Sequence, residues 1–279
     1  MTVGSADFDY IAQLVWRRSA IVLEPGKEYL VESRLTPLAR REGGEKISDL
    51  VARLQSSPET ALHAEVVDAM TTNETSWFRD RLPFDALSAH ILPELLVKRA
   101  RERKITIWSA GCSSGQEPYS IAMMLANSLA MHPGWQVQII ATDLSEEMLA
   151  KARRGRYGQL EVNRGLPAQM LVSNFERTGM EWEVQSSIRS MVEFRPLNLA
   201  RPFESIVGRP DVIFLRNVLI YFDTETKKQV LKRVRSVLRP DGYLFLGGAE
   251  TTLNVDEAFE PVQFDRATCY RQRGGEATR

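Results

Sequence analysis

Ile105-Thr-Ile-Trp-Ser-Ala-Gly-Cys-Ser-Ser-Gly-Gln-Glu-Pro-Tyr119 runs from β-branched residues straight into small ones, then meets Pro118 and an apolar helical run from Ile121 to Leu129. Pro118 favours the first turn of a helix, where its missing N–H costs nothing. Strand, glycine turn and helix in that order describe the first unit of a doubly wound α/β sheet. Gly111 and Gly115 let backbone come close to a ligand over the C-terminal edge of the strand. Taken alone, a G-x-x-x-G in a tight βα turn is also compatible with plain packing.

Two acids sharpen the reading. The turn has no full G-x-G-x-x-G and no Lys to hold phosphate, and Glu117 would repel a pyrophosphate. Such a pocket suits a nucleoside without phosphates, as in S-adenosylmethionine, better than a dinucleotide. Val137-Gln-Ile-Ile-Ala-Thr-Asp-Leu-Ser145 reads as the next strand, ending in Asp143. A carboxylate at that strand tip is placed to accept both ribose hydroxyls. The competing reading is a cap for the helix that follows, because Asp143 and Ser145 precede Glu146-Glu147 and an apolar-periodic segment.

Composition sets outer limits. The chain has 279 residues and is 43% hydrophobic, enough for one large or two modest domains with a full core. Lys plus Arg equals Asp plus Glu at 36 each, so no global field draws the protein to nucleic acid or to a membrane surface. No apolar stretch reaches transmembrane length, and no secretory leader is evident. Cys112 and Cys269 form no disulfide framework, and with His63, His90 and His132 scattered they make no metal cluster. Cys112 reads as a small packing residue, and the chain as cytoplasmic and reduced.

Texture divides the chain. Up to about residue 72 the apolar spacing is helical: Phe8, Ile11, Leu14 and Val15, then Leu50, Val51 and Leu54. A helix is expected between Gly26 and Arg41, kinked or broken before Pro37. From Ile105 onward strands and helices alternate, as in a parallel sheet with covered faces. The expected strands are Ile105–Trp108, Val137–Thr142, Met191–Arg195, Asp211–Leu215, Tyr243–Gly247 and Ala267–Arg271, the last one antiparallel at the edge. Between Gly165 and Arg195 the rhythm lapses, and the alternating Trp182–Gln185 and Ile188–Phe194 segments predict a small antiparallel insertion.

Two further segments carry polar groups in unusual places. Thr71-Thr-Asn-Glu-Thr-Ser-Trp-Phe-Arg-Asp80 sets Asn73, Thr75 and Arg79 beside Trp77-Phe78. It reads either as a helix start capped by Thr72 or Asn73, or as a lid whose polar groups reach the methionine part of the ligand. Asp211-Val-Ile-Phe-Leu-Arg-Asn-Val-Leu-Ile-Tyr-Phe-Asp223 is apolar up to Leu215 and then presents Arg216, Asn217 and Tyr221. A buried strand ending in Arg-Asn implies something polar against it.

Together TTNETSWFRD, IWSAGCSSGQEPYS, IIATDLS, FLRNVLIYFD and Pro240-Asp-Gly-Tyr-Leu-Phe-Leu-Gly-Gly-Ala-Glu250 closely resemble the chemotaxis-receptor methyltransferases, the CheR family, in that family's order and spacing. Many members end the last motif in His-Ser-Glu where this chain has Gly-Ala-Glu. The resemblance implies a Rossmann-like class I methyltransferase sheet with an all-helical N-terminal domain and a small antiparallel β-subdomain. The implied division is a receptor-recognition domain over 1–72, a linker contributing to the cofactor site over 73–94, and a methyltransferase domain over 95–279 with the insertion at about 165–195. The implied activity is transfer of a methyl group from S-adenosylmethionine to glutamate carboxylates of chemoreceptors, leaving S-adenosylhomocysteine, without a metal. Alternatives are a methyltransferase of the same fold acting on a small-molecule carboxylate or a non-receptor protein, and a non-catalytic cofactor-binding sensor.

Matched to the family motifs, the cofactor contacts fall on Asn73, Thr75, Arg79, Glu117, Asp143, Asn198, Leu199, Arg216 and Asn217, joined by Gly111 of the glycine turn. The implied catalytic residues are Arg79 and Tyr221. Simple loop capping competes for Asn198. Glu117 would bind the α-amino group or balance the sulfonium charge. Receptor contact is implied for Arg34, Arg40 and Arg41, against the plainer reading of a solvated helix face. Some members tether to a C-terminal receptor pentapeptide through a glycine-containing loop in the β-subdomain. Phe175-Glu-Arg-Thr-Gly-Met-Glu-Trp182 is shorter there, so no tether is expected. Partners are thus the cytoplasmic methylation helices of receptors, with no nucleic acid and no membrane insertion.

Overall fold

The computed structural model describes residues 3–56, 58 and 60–275, apart from the side chains of Glu204 and Ile206. Two compact units divide the chain: Met1–Thr72 with Tyr221–Thr226, and Asn73–Ile220 with Lys227–Arg279.

The first unit is helical. Its helices are α1 (Ser5–Ser19), α2 (Glu28–Arg41), α3 (Ile47–Ser56) and α4 (Ala61–Met70). Each buries one apolar stripe at helical spacing: Phe8, Ile11, Leu14 and Val15 on α1, and Ile47, Leu50, Val51 and Leu54 on α3. Thr60 and His63 form a capping box that starts α4. Helix α2 runs through Pro37, which corrects the expected break there. Burial of Val31, Leu35, Leu38 and Ala39 on both sides of Pro37 outweighs the one ladder bond the proline removes. Tyr221–Thr226 joins this unit: Ile21 pairs with Phe222, and Trp16 Nε1 donates to Asp223 Oδ2 at 3.2 Å.

The second unit is built on strands. In chain order they are β1 (Lys104–Ala110), β2 (Gln136–Asp143), β3 (Arg156–Gly158), β4 (Phe175–Thr178), β5 (Glu181–Val184), β6 (Val192–Pro196), β7 (Val212–Leu215), β8 (Tyr243–Leu246), β9 (Phe259–Phe264) and β10 (Ala267–Gln272). Seven of them form one sheet in the order β6-β2-β1-β7-β8-β10-β9, and β3-β5-β4 form a small separate one. The first five of the large sheet are parallel, and β10 and β9 close it antiparallel. Central strands β7 and β8 are buried at every position, as expected where helices cover both faces. Helices α5 (Leu82–Ala86), α6 (Leu92–Lys98), α7 (Gln116–Leu129) and α8 (Glu146–Arg154) follow the chain order, with one π-type turn over Leu87–Ile91 between α5 and α6. The strand order reverses between β1 and β7, so the crevice outside their C-terminal ends is where a ligand belongs in such a sheet.

Three strand expectations need correction. The edge strand is β9, not the last strand, and its Pro261 fits an edge position that needs no further donor. The small antiparallel sheet includes β3, so it begins upstream of the Gly165–Arg195 window. Ile188 lies in a helical turn, Ser186–Arg189, and the residues after it form β6 of the main sheet. Alternation of apolar and polar residues marks strands there without saying which sheet they join.

At the opposite end of the strands a buried ion network ties the sheet together. Asp211, 1% exposed, accepts from Arg99 Nε at 2.7 Å and from the Thr106 N–H at 2.8 Å. Arg99 also grips both oxygens of Asp241, at 3.0 and 2.7 Å. Burial pushes the Asp241 and Glu94 carboxyls up. Bonds from Arg99 to Asp241, and from Lys98 and Tyr243 to Glu94, outweigh burial and hold both below the usual range. Lowered folded values mean stability that is complete above the unfolded values and is lost as pH falls through the folded ones. Arg99→Met should therefore cost about 3–5 kcal/mol at neutral pH, since it leaves Asp211 buried without its main partner. In urea unfolding the gap from the parent protein should narrow as the pH falls below about 4 and through the lowered folded value of Asp241.

Candidate active site

The turn after β1 hangs on the end of β2. The N–H groups of Gly111 and Cys112 both donate to the Thr142 carbonyl, at 2.8 and 2.9 Å. Gly111 has φ +70°, and a Cβ there would lie 2.4 Å from Val218 Cγ2; Gly115 has φ +94°, and its Cβ would lie 2.9 Å from Ala152 Cβ. The space both glycines open is filled by the protein's own side chains. Close packing thus requires glycine at both positions.

Ser113, at φ 49°, turns its N–H onto Asp143 Oδ2 at 2.7 Å, and the Ser145 N–H reaches Oδ1 at 2.9 Å. The cap of α8 is Ser145, whose hydroxyl accepts the Met148 N–H at 3.2 Å. Asp143 is thus held rigidly at the strand tip, 8% exposed, and is not the side-chain cap of α8. Burial, with Asp143 and Glu117 adding to it, pushes the Cys112 thiol well up, so this cysteine stays neutral and inert.

Arg216 leaves the end of β7 and gathers two segments, α7 and the linker. Its Nη1 donates to Glu117 Oε2 at 2.9 Å, and its Nη2 donates to Asp80 Oδ2 at 2.7 Å and to the Arg79 carbonyl at 2.9 Å. Ser109 Oγ donates to the other Glu117 oxygen at 2.7 Å. The Arg216 side chain is 1% exposed, so these are bonds of low dielectric and firm geometry. Glu117, read from sequence as balancing the sulfonium charge, and Arg216 belong to one ion cluster.

Residues 72–76 adopt no regular structure, and the next helix starts only at Leu82, so neither Thr72 nor Asn73 caps a helix start. The segment is tied down along its length instead. Ser113 Oγ donates to the Asn73 carbonyl at 2.8 Å, the Trp77 N–H donates to the Arg164 carbonyl at 3.0 Å, and the Phe78 N–H donates to Ser120 Oγ at 3.1 Å. Trp77 is buried edge-on against Tyr157 and Phe175. Phe78, Asp80 and Arg81 all have positive φ, a conformation costing about 1–3 kcal/mol each that surrounding contacts must impose. Thr75 is half-buried within the same stretch. Arg79 donates to the Glu74 carbonyl at 3.3 Å and makes no ion pair among the described residues.

Other expected site residues are more dispersed. The Leu197 N–H donates to the Asp143 carbonyl at 2.9 Å, which brings the Asn198-Leu199 pair to the β2 edge. Asn198 Oδ1 accepts the Ala200 N–H at 2.9 Å, a local loop cap. Asn217 is left-handed, φ 59°. Tyr221 falls in the helical unit, its carbonyl accepting the Val22 N–H at 2.9 Å. On α2, Arg34 donates to the Met70 and Thr71 carbonyls at 2.8 and 2.9 Å, closing the end of α4. Arg41 pairs with Glu65, and Arg40 is exposed.

The donor set of the turn and strand ends fits S-adenosylmethionine. It offers a rigid carboxylate at the β2 tip and a second acid on α7, and no lysine from Ile105 to Tyr119 where a dinucleotide needs phosphate neutralised. Residues 73–268 match the family model described as CheR methyltransferase, SAM binding domain, and residues 6–71 match CheR methyltransferase, all-alpha domain. The chain belongs to the CheR methyltransferase family. Chemotaxis protein methyltransferase 1 of Pseudomonas aeruginosa is 43% identical over 277 residues, 98% of this chain and 100% of that protein. A chemotaxis protein methyltransferase of Pseudomonas putida is 41% identical over the same coverage, and that of Escherichia coli is 35% identical over 93% of this chain and 89% of its own. This CheR protein is a methyltransferase that takes S-adenosylmethionine as donor. Among the described residues no group of three or more His, Cys, Asp or Glu is placed to hold a metal.

Sequence reading misses Asp80 and Ser113 as site-building residues. Asp80 lies inside the linker motif, and the buried Arg216 already requires a counter-ion. Ser113 leaves no signal, because its contribution is a backbone N–H in an unusual conformation. Asp143→Ala should weaken S-adenosylhomocysteine about 10- to 100-fold, the range for losing hydrogen bonds to a charged group. Isothermal calorimetry reads this directly; unchanged affinity would remove Asp143 from the binding site.

Proposed function

We propose that this enzyme esterifies glutamate side chains on the cytoplasmic helices of chemoreceptors, converting S-adenosylmethionine to S-adenosylhomocysteine. The carrying observation is the likeness to chemotaxis protein methyltransferases over 98% of the chain. The site chemistry supports it. When bound, S-adenosylmethionine supplies a methyl group on a positively charged sulfur. A glutamate side chain ordinarily titrates near pH ~4.3, so close to neutral pH it is already a carboxylate and needs no catalytic base. What the protein must provide is orientation, worth several kcal/mol when the reacting groups are held in line.

In this reading Asn73, Thr75, Glu117, Asp143, Asn198, Leu199, Arg216 and Asn217 surround the donor, with Gly111 shaping the turn. Arg79 is the group for the acceptor carboxylate. Arg216 is already neutralised by Glu117 and Asp80, whereas Arg79 lacks an ion partner among the described residues. Its charge-assisted bond orients the carboxylate, and Tyr221 is the second residue proposed as catalytic, through its hydroxyl. Residues 1–72 meet the receptor, and residues 73–94 link that domain to the catalytic domain over 95–279. Of the arginines on α2, Arg40 is the one best placed for acidic partners, since Arg34 and Arg41 are engaged within the helical unit. The enzyme would work in the cytoplasm, where its substrate helices lie. No described helix is long and apolar enough to cross a membrane.

Labelled donor with cognate receptor membranes should yield base-labile methyl ester, released as methanol. Its absence would reject the reading. Arg79→Ala should lose about 100-fold in turnover, the scale of a misplaced reactant; full activity in that variant takes Arg79 out of the site.

The small sheet bears on receptor tethering. Strands β4 and β5 are joined through only Gly179-Met180, with Gly179 at φ +63° and Met180 not left-handed, the pattern of a II′ hairpin. A two-residue turn leaves no loop to form an additional binding edge. Calorimetry with a C-terminal receptor pentapeptide should therefore give no heat, and a clear micromolar signal would show that the short hairpin still serves as the tether.

A further inference from the structure

Four backbone N–H groups converge on one carboxylate beyond the end of β8. Glu250 Oε2 accepts from Asn217 at 2.8 Å and from Gly247 at 2.7 Å. Its Oε1 accepts from Val218 at 2.9 Å and from Ile220 at 3.2 Å. The 217–220 turn cannot satisfy these donors itself. Asn217 is left-handed, and the one 3-10 turn that follows starts only at Leu219. Successive N–H groups in such a turn make a concave anion site, and here the protein fills it with its own carboxylate. Gly247 is part of the device: a Cβ there would stand 2.8 Å from both the Asn217 nitrogen and Glu250 Oε2.

The turn so clamped is the one that organises the cofactor side. Val218 seats on Gly111, and the preceding Arg216 binds Glu117, Asp80 and the Arg79 carbonyl. We infer that Glu250 is a positioning residue for methyl transfer, setting the Asn217–Ile220 turn against the β1 turn without touching either reactant. This rests on the methyl-transfer reading above. Arg216 keeps its three partners without Glu250, so the donor side stays anchored while the rest of the turn shifts. Binding of the product and turnover should therefore separate.

Glu250→Gln keeps shape but points an amide N–H₂ at two of the four donors. It should lower kcat about 100-fold, the cost of a displacement near 1 Å. S-adenosylhomocysteine affinity should fall by no more than about tenfold, the share carried by Asn217, because Asp143 and the Arg216 bonds form a separate set. In Glu250→Ala, added formate should fill the emptied N–H cluster and restore turnover. A folded Glu250→Gln enzyme with kcat near that of the parent overturns the inference. So does a kcat loss matched by an equal loss of product affinity, or one that formate does not reverse in the alanine variant. If the alanine variant does not fold, Gly247→Ala, which pushes the carboxylate off its donors, must show the same kcat loss with product affinity held to the same limit; normal kcat there overturns the inference too. Failure of the parent enzyme to methylate receptors would reject the methyl-transfer reading itself. The clamp is then still tested by hydrogen exchange at Asn217, Val218, Ile220 and Gly247, which should quicken in Glu250→Ala and slow again with formate.

Discussion

One buried guanidinium holds the catalytic unit's site together. Arg216 emerges from the central strand β7 and is fully enclosed, so its charge is tolerable only if neutralised by well-aimed acceptors. Those acceptors come from three separate groups: Glu117 on α7, Asp80 in the linker, and the Arg79 carbonyl beside it. A planar fork with several donors suits this task, because a single ammonium could not fix three directions at once. The position of the linker relative to the glycine turn is thus a consequence of satisfying one charge.

The same logic explains the strained linker. Phe78, Asp80 and Arg81 occupy positive-φ backbone that the sterics of a side chain disfavour. Arg216 binds the carbonyl and the carboxylate on either side of the Arg79–Asp80 bond, Ser120 holds the Phe78 N–H, and burial of Trp77 locks the preceding residue. Folding energy from the aromatic core goes into holding Arg79 in one place. Under the proposed reaction, preorganisation of that kind is what the enzyme needs, because the acceptor carboxylate arrives already ionised.

Much of the fold could be read directly from residues. Fully buried strands such as Val212–Leu215 and helices with one apolar stripe such as Ile47–Ser56 declare themselves, because their patterning reflects local geometry and burial alone. The segment from Arg156 to Phe194 was harder. Its short strands divide between two sheets, and pairing partners are a property of the whole chain. Pro37 misled for a related reason: a local penalty was overruled by packing on both sides of it.

The site divides the same way. The glycine turn, Asp143 at the tip of β2, and the motifs that place the chain in its family are matters of residue type and spacing, so the sequence by itself determined the methyltransferase fold and the donor it takes. Which charges pair with which was decided only in three dimensions. Glu117 and Arg216 are 99 positions apart, Asp80 and Arg216 are 136, and Glu250 meets N–H groups 30 to 33 residues before it. Backbone donors have no letter in the sequence, and a carboxylate looks the same whether it awaits a ligand or closes a turn. Only burial and the directions of hydrogen bonds distinguish the two, and both arise when the strands come together.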